Sequence, residues 1–88
     1  MIQRIFLLIA FSISLAASAQ PEEVKKMQET AKAFMRTGDF DNAIIVLTRA
    51  LQKDNKNIDL QKDLVMSYFF KRDYAKAMEG AKVLIDRD

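Results

Sequence analysis

The sequence contains no cysteine and no histidine, and these two absences exclude several kinds of chemistry. Without cysteine the fold cannot be stabilised by disulfides, even in an oxidising compartment. The thiolate nucleophile, the commonest general base and the usual transition-metal ligands are also missing. We therefore expect a non-catalytic protein with no metal site and no cofactor.

Glycine and proline are scarce, with two glycines and one proline in 88 residues. The chain has no Gly-, Ser- or Pro-rich linker and no low-complexity stretch, which predicts one continuous unit after the N-terminal segment. Beyond Arg4, 13 Lys and Arg are interspersed with 12 Asp and Glu, a net charge of +1. No basic stripe accompanies this balance, so we expect no nucleic-acid partner.

Residues 1–19 have the features of an export signal rather than of a folded element. Arg4 supplies a positive start, an apolar run follows, and Ala17-Ser18-Ala19 is typical of a cleavage site. The alternative is a membrane anchor, but the apolar run of residues 5–17 has 13 residues, whereas crossing a bilayer takes roughly 20. The sequence therefore predicts a bacterial-type exported protein, periplasmic or secreted and without a stable membrane anchor, whose mature part is residues 20–88.

Apolar residues at spacings of three and four predict four helices in the mature part. The first begins at Pro21 and ends before Gly38, and the second begins near Asp41 and ends at the polar residues 54–57. Asn57 is expected to cap the third helix, and a turn at residues 72–73 leads to the fourth. Such short loops predict antiparallel pairs of helices in an all-α fold. The predicted core residues are Val24, Met27, Ala31, Phe34, Met35, Phe40, Ala43, Ile44, Leu47, Ala50, Leu51, Ile58, Leu64, Val65, Tyr68, Phe69, Tyr74, Ala77, Met78, Ala81, Leu84 and Ile85.

The pattern repeats with a period of 34 residues, so that residues 24–57 and 58–88 are two copies of one helical pair, the second incomplete. The shift places aromatic on aromatic, acid on acid and alanine on alanine. The matching pairs are Phe34 and Tyr68, Asp39 and Asp73, Phe40 and Tyr74, and Ala43 and Ala77.

The first copy resembles a tetratricopeptide repeat, through the spacing of Phe34, Gly38, Phe40, Ala43, Leu47 and Ala50. The resemblance implies a right-handed superhelix whose first helices line a concave groove for a peptide or a partner domain. Arg72 departs from the pattern because it occupies the position of Gly38, and it must then adopt a left-handed conformation at a cost of roughly 1 kcal/mol.

On the geometry that the resemblance implies, the groove is lined by cations, Met and aromatic side chains, which suit an apolar peptide with acidic groups. The alternative for the two adjacent phenylalanines is packing against the neighbouring repeat. The candidate partner-binding residues are Lys25, Gln28, Lys32, Met35, Arg36, Lys62, Met66, Phe69 and Phe70.

The expected function is that of a protein-protein interaction adaptor of the cell envelope. The alternative is the N-terminal docking region of a larger exported enzyme or sensor. A third interpretation, a membrane-surface peptide, is disfavoured because no helix has a strongly cationic polar face. Leu84 and Ile85 should lie uncovered at the end of the second repeat, and we expect self-association there or a further layer supplied by a partner.

Overall fold

The computed structural model describes residues 20–86, which form four α-helices. They are α1 (Gln20–Arg36), α2 (Phe40–Lys53), α3 (Ile58–Phe70) and α4 (Tyr74–Asp86). The prediction of an all-α fold with four helices in antiparallel pairs is confirmed. The predicted export signal lies outside the described residues.

The starts of α2, α3 and α4 are set by short polar side chains that accept a hydrogen bond from a free backbone N–H. The side chain of Asn57 accepts from the N–H of Leu60 at 3.1 Å, which confirms the predicted cap. Asp39 caps α2, and Asp73 accepts from the N–H of Lys76 at 3.3 Å. Because Asp39 is the cap, α2 begins one residue earlier than the sequence pattern predicts.

The two hairpin turns have the same backbone geometry. Gly38 and Arg72 both have positive φ, at 78° and 74°. In each turn the next residue donates its N–H, at 2.9 Å, to the carbonyl five positions earlier, that of Phe34 or Tyr68. This is the Schellman termination of a helix, which requires a left-handed residue. The predicted left-handed conformation of Arg72 is therefore confirmed.

The helices pack as two hairpins joined by α3. The pairs α1 with α2 and α3 with α4 form the hairpins, and α3 also packs against α2 and, over a small area, against α1. The core lies mostly in the first hairpin, and α3 contributes Leu60 to it. Its fully or almost fully buried apolar members are Val24, Ala31, Ala43, Leu47, Ala50 and Leu60. Two hairpins fit a helical-repeat arrangement, and the superhelix stays a prediction.

The predicted core is wrong for part of α3 and for one side of α4. Ile58 is 45% exposed, Tyr74 54% and Met78 67%. Ile85 is 70% exposed, which agrees with the expectation that it lies uncovered at the end of the second repeat. Within residues 20–86 no further helix packs on α4 beyond α3, so the α4 side chains keep contact with water on their outer side. Ile58 is the first residue of α3 and is exposed at the start of that helix. In α4 only Ala77 is buried.

Three buried residues of α3 escaped the apolar pattern: Leu60, Gln61 and Ser67. Gln61 donates from its amide to the backbone carbonyl of Gly80 at 3.2 Å, and Ser67 donates to the carbonyl of Asp63 at 2.9 Å. Hydrogen bonding of this kind is what allows a polar side chain to be buried.

Candidate partner-binding site

The C-terminal halves of α1 and α3 enclose an open apolar groove of about 310 Å³ where the two hairpins meet. We call it the inter-hairpin groove, and it is lined by Met35, Arg36, Phe40, Met66 and Phe70. The groove forms because α1 and α3 touch over a small area only, while α3 packs more extensively on α2.

Four aromatic rings form a continuous row beside this groove. Phe70 stacks on Phe40 with ring centroids 5.6 Å apart, and the rings of Phe69 and Phe70 meet edge to face with centroids 5.7 Å apart. Phe69 in turn contacts Tyr74 edge to face at 5.5 Å. Phe69 and Phe70 are 53% and 52% exposed, so each packs on neighbouring rings and still offers half of its surface to a partner. Phe70 thus packs on Phe40 of the first repeat, as the packing interpretation predicts, whereas the ring contacts of Phe69 are with Phe70 and Tyr74 of its own repeat. Partner binding by either phenylalanine stays a prediction.

The structure brings together one part of the predicted site and separates another. Arg36, Met66 and Phe70 line the inter-hairpin groove together with Met35, so these four candidate residues lie close together. Phe69 does not line it. It points to the other side of α3, where it lines a second depression with residues of α4. The reason is the 100° turn per residue of an α-helix, which sends adjacent side chains to different sides.

The polar members of the predicted site lie on α1 and α3. Lys25, Lys32 and Lys62 are exposed, and helical spacing puts Lys62 on the same face as Met66. Gln28 is partly buried and donates from its side-chain amide to a carboxylate oxygen of Asp63 at 3.5 Å, across the two hairpins. Gln28 therefore links the hairpins, and the cations are the polar groups of this set that are exposed to a partner.

An ion pair continues the ring stack at the junction of the hairpins. Asp41 follows Phe40, Lys71 follows Phe70, and the Lys71 ammonium lies 2.5 Å from the Asp41 carboxylate. The hydrogen bond to Asp41 and the charge of that carboxylate raise the pKa of Lys71 above its ordinary value. A raised pKa means that the ion pair contributes fully below the pKa of the unfolded chain, near 10.5, and is lost as the pH rises through the higher folded value. The Lys71 side chain is thus protonated at neutral pH.

Other kinds of site find no support in the part of the chain that the structure describes. Between residues 20 and 86 no cluster of three carboxylate, His or Cys groups is placed to hold a metal ion. Over the same residues, no helix has the length and apolar character needed to cross a membrane. Comparisons of the chain with protein-family models, with curated proteins and with solved structures found no match.

Proposed function

We propose that this chain is a non-catalytic adaptor of the tetratricopeptide-repeat type, which binds a segment of a partner protein in the inter-hairpin groove. The observation that carries the proposal is the presence of two half-exposed side chains, Met66 at 46% and Phe70 at 52%, in an apolar groove between two hairpins. Large apolar side chains clustered in an exposed concave surface are typical of interaction sites.

The side chains suit an apolar residue of the partner as an anchor. Phe70 is held from one side by its stack on Phe40, so little conformational freedom is lost when its other side is covered. Met35 and Met66 are flexible and polarisable, which lets them adjust to anchors of different shape. The groove therefore favours an aromatic or a long aliphatic side chain at its centre.

The charges near the groove favour an acidic partner segment. Arg36 lies in the lining, and Lys32 and Lys62 are exposed on the two helices that enclose it. Two carboxylates nearby already have partners: Asp63 accepts a hydrogen bond from Gln28, and Asp41 pairs with Lys71. Exposed cations of this kind contribute mostly to the rate and the specificity of association.

A peptide-display selection against the purified chain tests this function. Enriched peptides should carry an apolar anchor next to acidic residues, and Phe70→Ala should weaken their binding by about 2 kcal/mol, roughly 30-fold. Because Phe70 is half exposed, this change should cost less stability than the 3 to 5 kcal/mol that is typical of a buried phenylalanine. Lys62→Glu should also weaken the binding of acidic peptides, and more so at low salt.

Ile45→Ala is the matched control, since Ile45 is 48% exposed on α2 and does not line the groove. Titrations followed by fluorescence anisotropy give the affinities, and circular dichroism melts report the fold. Selected peptides that bind Phe70→Ala as tightly as the unchanged chain would contradict the proposed site.

We also propose that the protein is exported and acts in the periplasm or outside the cell. The basis is the sequence of residues 1–19. Mass spectrometry of the protein from its own host should find Gln20 as the N-terminal residue. Retention of residues 1–19 in the functional protein would overturn this assignment.

A further inference from the structure

The 34-residue repeat allows the two hairpins to be compared position by position, and the comparison singles out one surface of the second hairpin. We call this surface the end face. It is formed by Val65, Phe69, Tyr74, Ala77, Met78, Ala81 and Ile85.

Each end-face position is buried more deeply in the first hairpin than in the second. Leu47 is fully buried, whereas its counterpart Ala81 is partly exposed. Ile44 is partly buried, whereas its counterpart Met78 is 67% exposed. The cause is α3, which packs on the first hairpin through Leu60 and Leu64. The end face thus has the chemistry of a covered surface, and within residues 20–86 no helix covers it.

The opposite end of the molecule does not match this face. If a second copy stacked head to tail, its α1 would take the place that α3 takes on the first hairpin. The α1 residues at the positions of Leu60, Leu64 and Ser67 are Lys26, Thr30 and Ala33. All three are exposed. Stacking of this kind would bury a lysine, which is strongly unfavourable without a partner charge.

The end face is, in contrast, complementary to itself. Its exposed side on α4 consists of Tyr74, Met78, Ala81 and Ile85, at the spacing of four, three and four that produces a packing seam between two helices. When two copies of α4 run antiparallel about a two-fold axis centred between residues 79 and 80, Met78 of each copy lies opposite Ala81 of the other. Tyr74 then lies opposite Ile85.

The depression on one copy also has room for a side chain that protrudes from the other copy. Val65, Phe69, Tyr74, Ala77, Met78 and Ala81 enclose an open apolar depression of about 370 Å³. Its small residues, Ala77 and Ala81, leave the space that a protruding Met78 of a second copy would fill. A contact in which each subunit offers the same patch is isologous, and it closes as a dimer without leaving a free end.

We propose that the chain forms a two-fold symmetric dimer through the end face, with the two copies of α4 antiparallel. This interface lies on the side of α3 away from the inter-hairpin groove, so each subunit of the dimer keeps its groove open. The proposal is independent of the proposed function, since it uses different residues.

Sedimentation equilibrium of the protein, produced from its full coding sequence, tests the proposal. We expect a reversible monomer–dimer equilibrium and no larger species. Met78→Glu should raise the dissociation constant about tenfold or more, because each dimer would bury two carboxylates. It should leave the monomer folded, since Met78 is 67% exposed there. Mass spectrometry confirms that all compared proteins have the same N-terminus.

Two control variants distinguish the end-face dimer from association through other surfaces and from head-to-tail stacking. Ile45→Glu changes an exposed apolar residue outside the end face and should leave the dissociation constant unchanged. Thr30→Glu would disrupt a head-to-tail contact and should also have no effect. A chain that stays monomeric, forms larger oligomers, or dimerises equally well with Met78→Glu would overturn the proposal.

Disulfide trapping tests the register, because the chain has no cysteine of its own. A mixture of the variants Met78→Cys and Ala81→Cys should form the mixed disulfide faster than either variant forms its own. A preference for the two homodimeric disulfides would exclude the antiparallel register.

Discussion

Gly80 offers a sharp test of the packing between α3 and α4. A Cβ atom added at this position would lie 2.8 Å from Cγ2 of Val65 and 3.3 Å from the side-chain nitrogen of Gln61. The first of these distances is shorter than side chains tolerate. Val65 is β-branched and has one preferred rotamer in a helix, so it cannot easily rotate away. Gly80 therefore allows the two helices to approach.

Two opposing effects set the stability of the Gly80→Ala variant. Alanine is better than glycine inside a helix by about 1 kcal/mol. Overpacking against Val65 costs about 1 to 3 kcal/mol. The free energy of unfolding should thus fall by up to about 2 kcal/mol, instead of rising as it would at an open helical position. For a domain of this size, 1 kcal/mol corresponds to a shift in Tm of about 4 to 8 °C.

A double-mutant cycle isolates the contact. Val65→Ala alone should cost about 1 kcal/mol, since Val65 is only partly buried. In the Gly80→Ala background the same change also removes the clash, so the two substitutions should couple favourably by about 1 to 3 kcal/mol. Urea unfolding followed by circular dichroism gives the four free energies. Additivity within about 0.5 kcal/mol, as expected for the distant control pair Gly80→Ala with Ile45→Ala, would refute the close approach.

Two further predictions concern the ends of the helices, and both are checked by thermal and urea unfolding. Asn57→Ala should lower the free energy of unfolding by about 1 kcal/mol because it removes the cap of α3. Asn57→Ser should retain the cap, since its hydroxyl oxygen can accept the N–H of Leu60 and it places no second carboxylate beside Asp54, to which the Asn57 amide donates at 3.1 Å. Equal losses in both variants would argue against this role. Gly38 and Arg72 should respond in opposite directions: Gly38→Ala should destabilise the chain by about 1 kcal/mol, and Arg72→Gly should be neutral or stabilising by up to about 1 kcal/mol. A clear loss of stability in Arg72→Gly would show that the arginine side chain makes contacts that outweigh its backbone strain.

The fold was largely predictable because its signals are local. The caps and turns depend on residues a few positions apart, so Asn57, Gly38 and Arg72 could be interpreted correctly from the sequence. The short loops then predicted the antiparallel pairing of the helices, and the period of 34 residues showed that the pair recurs. A repeat also constrains volume: Gly80 and Val65 stand where the first hairpin has Val46 and Ala31, so a large and a small residue have exchanged places.

The burial of single residues was less predictable because it depends on what lies next to each face. The sequence pattern of α4 is that of a helix covered on two sides, yet the structure covers it on the side of α3 only. Gln61 was missed because its burial depends on a hydrogen bond to Gly80, nineteen positions away. The signal that could have revealed it is an isolated glycine inside a helical pattern, which often marks a close approach.

The candidate site was predictable at the level of the helix face. The repeat resemblance selects residues of α1 and α3, and the structure brings Met35, Arg36, Met66 and Phe70 into one groove. Whether Phe69 lines a groove between hairpins depends on whether a further hairpin packs against the second one. Its counterpart in the first hairpin is Met35, which lies in the inter-hairpin groove because α3 forms the other wall. Phe69 has the same position relative to its own hairpin, and it lines a depression between α3 and α4 that no further hairpin covers within residues 20–86.

The difference between the hairpins bears on stability as well as on binding. In α4 only Ala77 is buried, whereas α2 buries Ala43, Leu47 and Ala50. Fewer buried apolar contacts make α4 the element that should open most easily. An end-face dimer would bury Met78 and its neighbours only in the folded state, so mass action would stabilise the fold as the protein concentration rises. Amide exchange in α4 should therefore slow with concentration in the unchanged chain, and it should be independent of concentration in Met78→Glu.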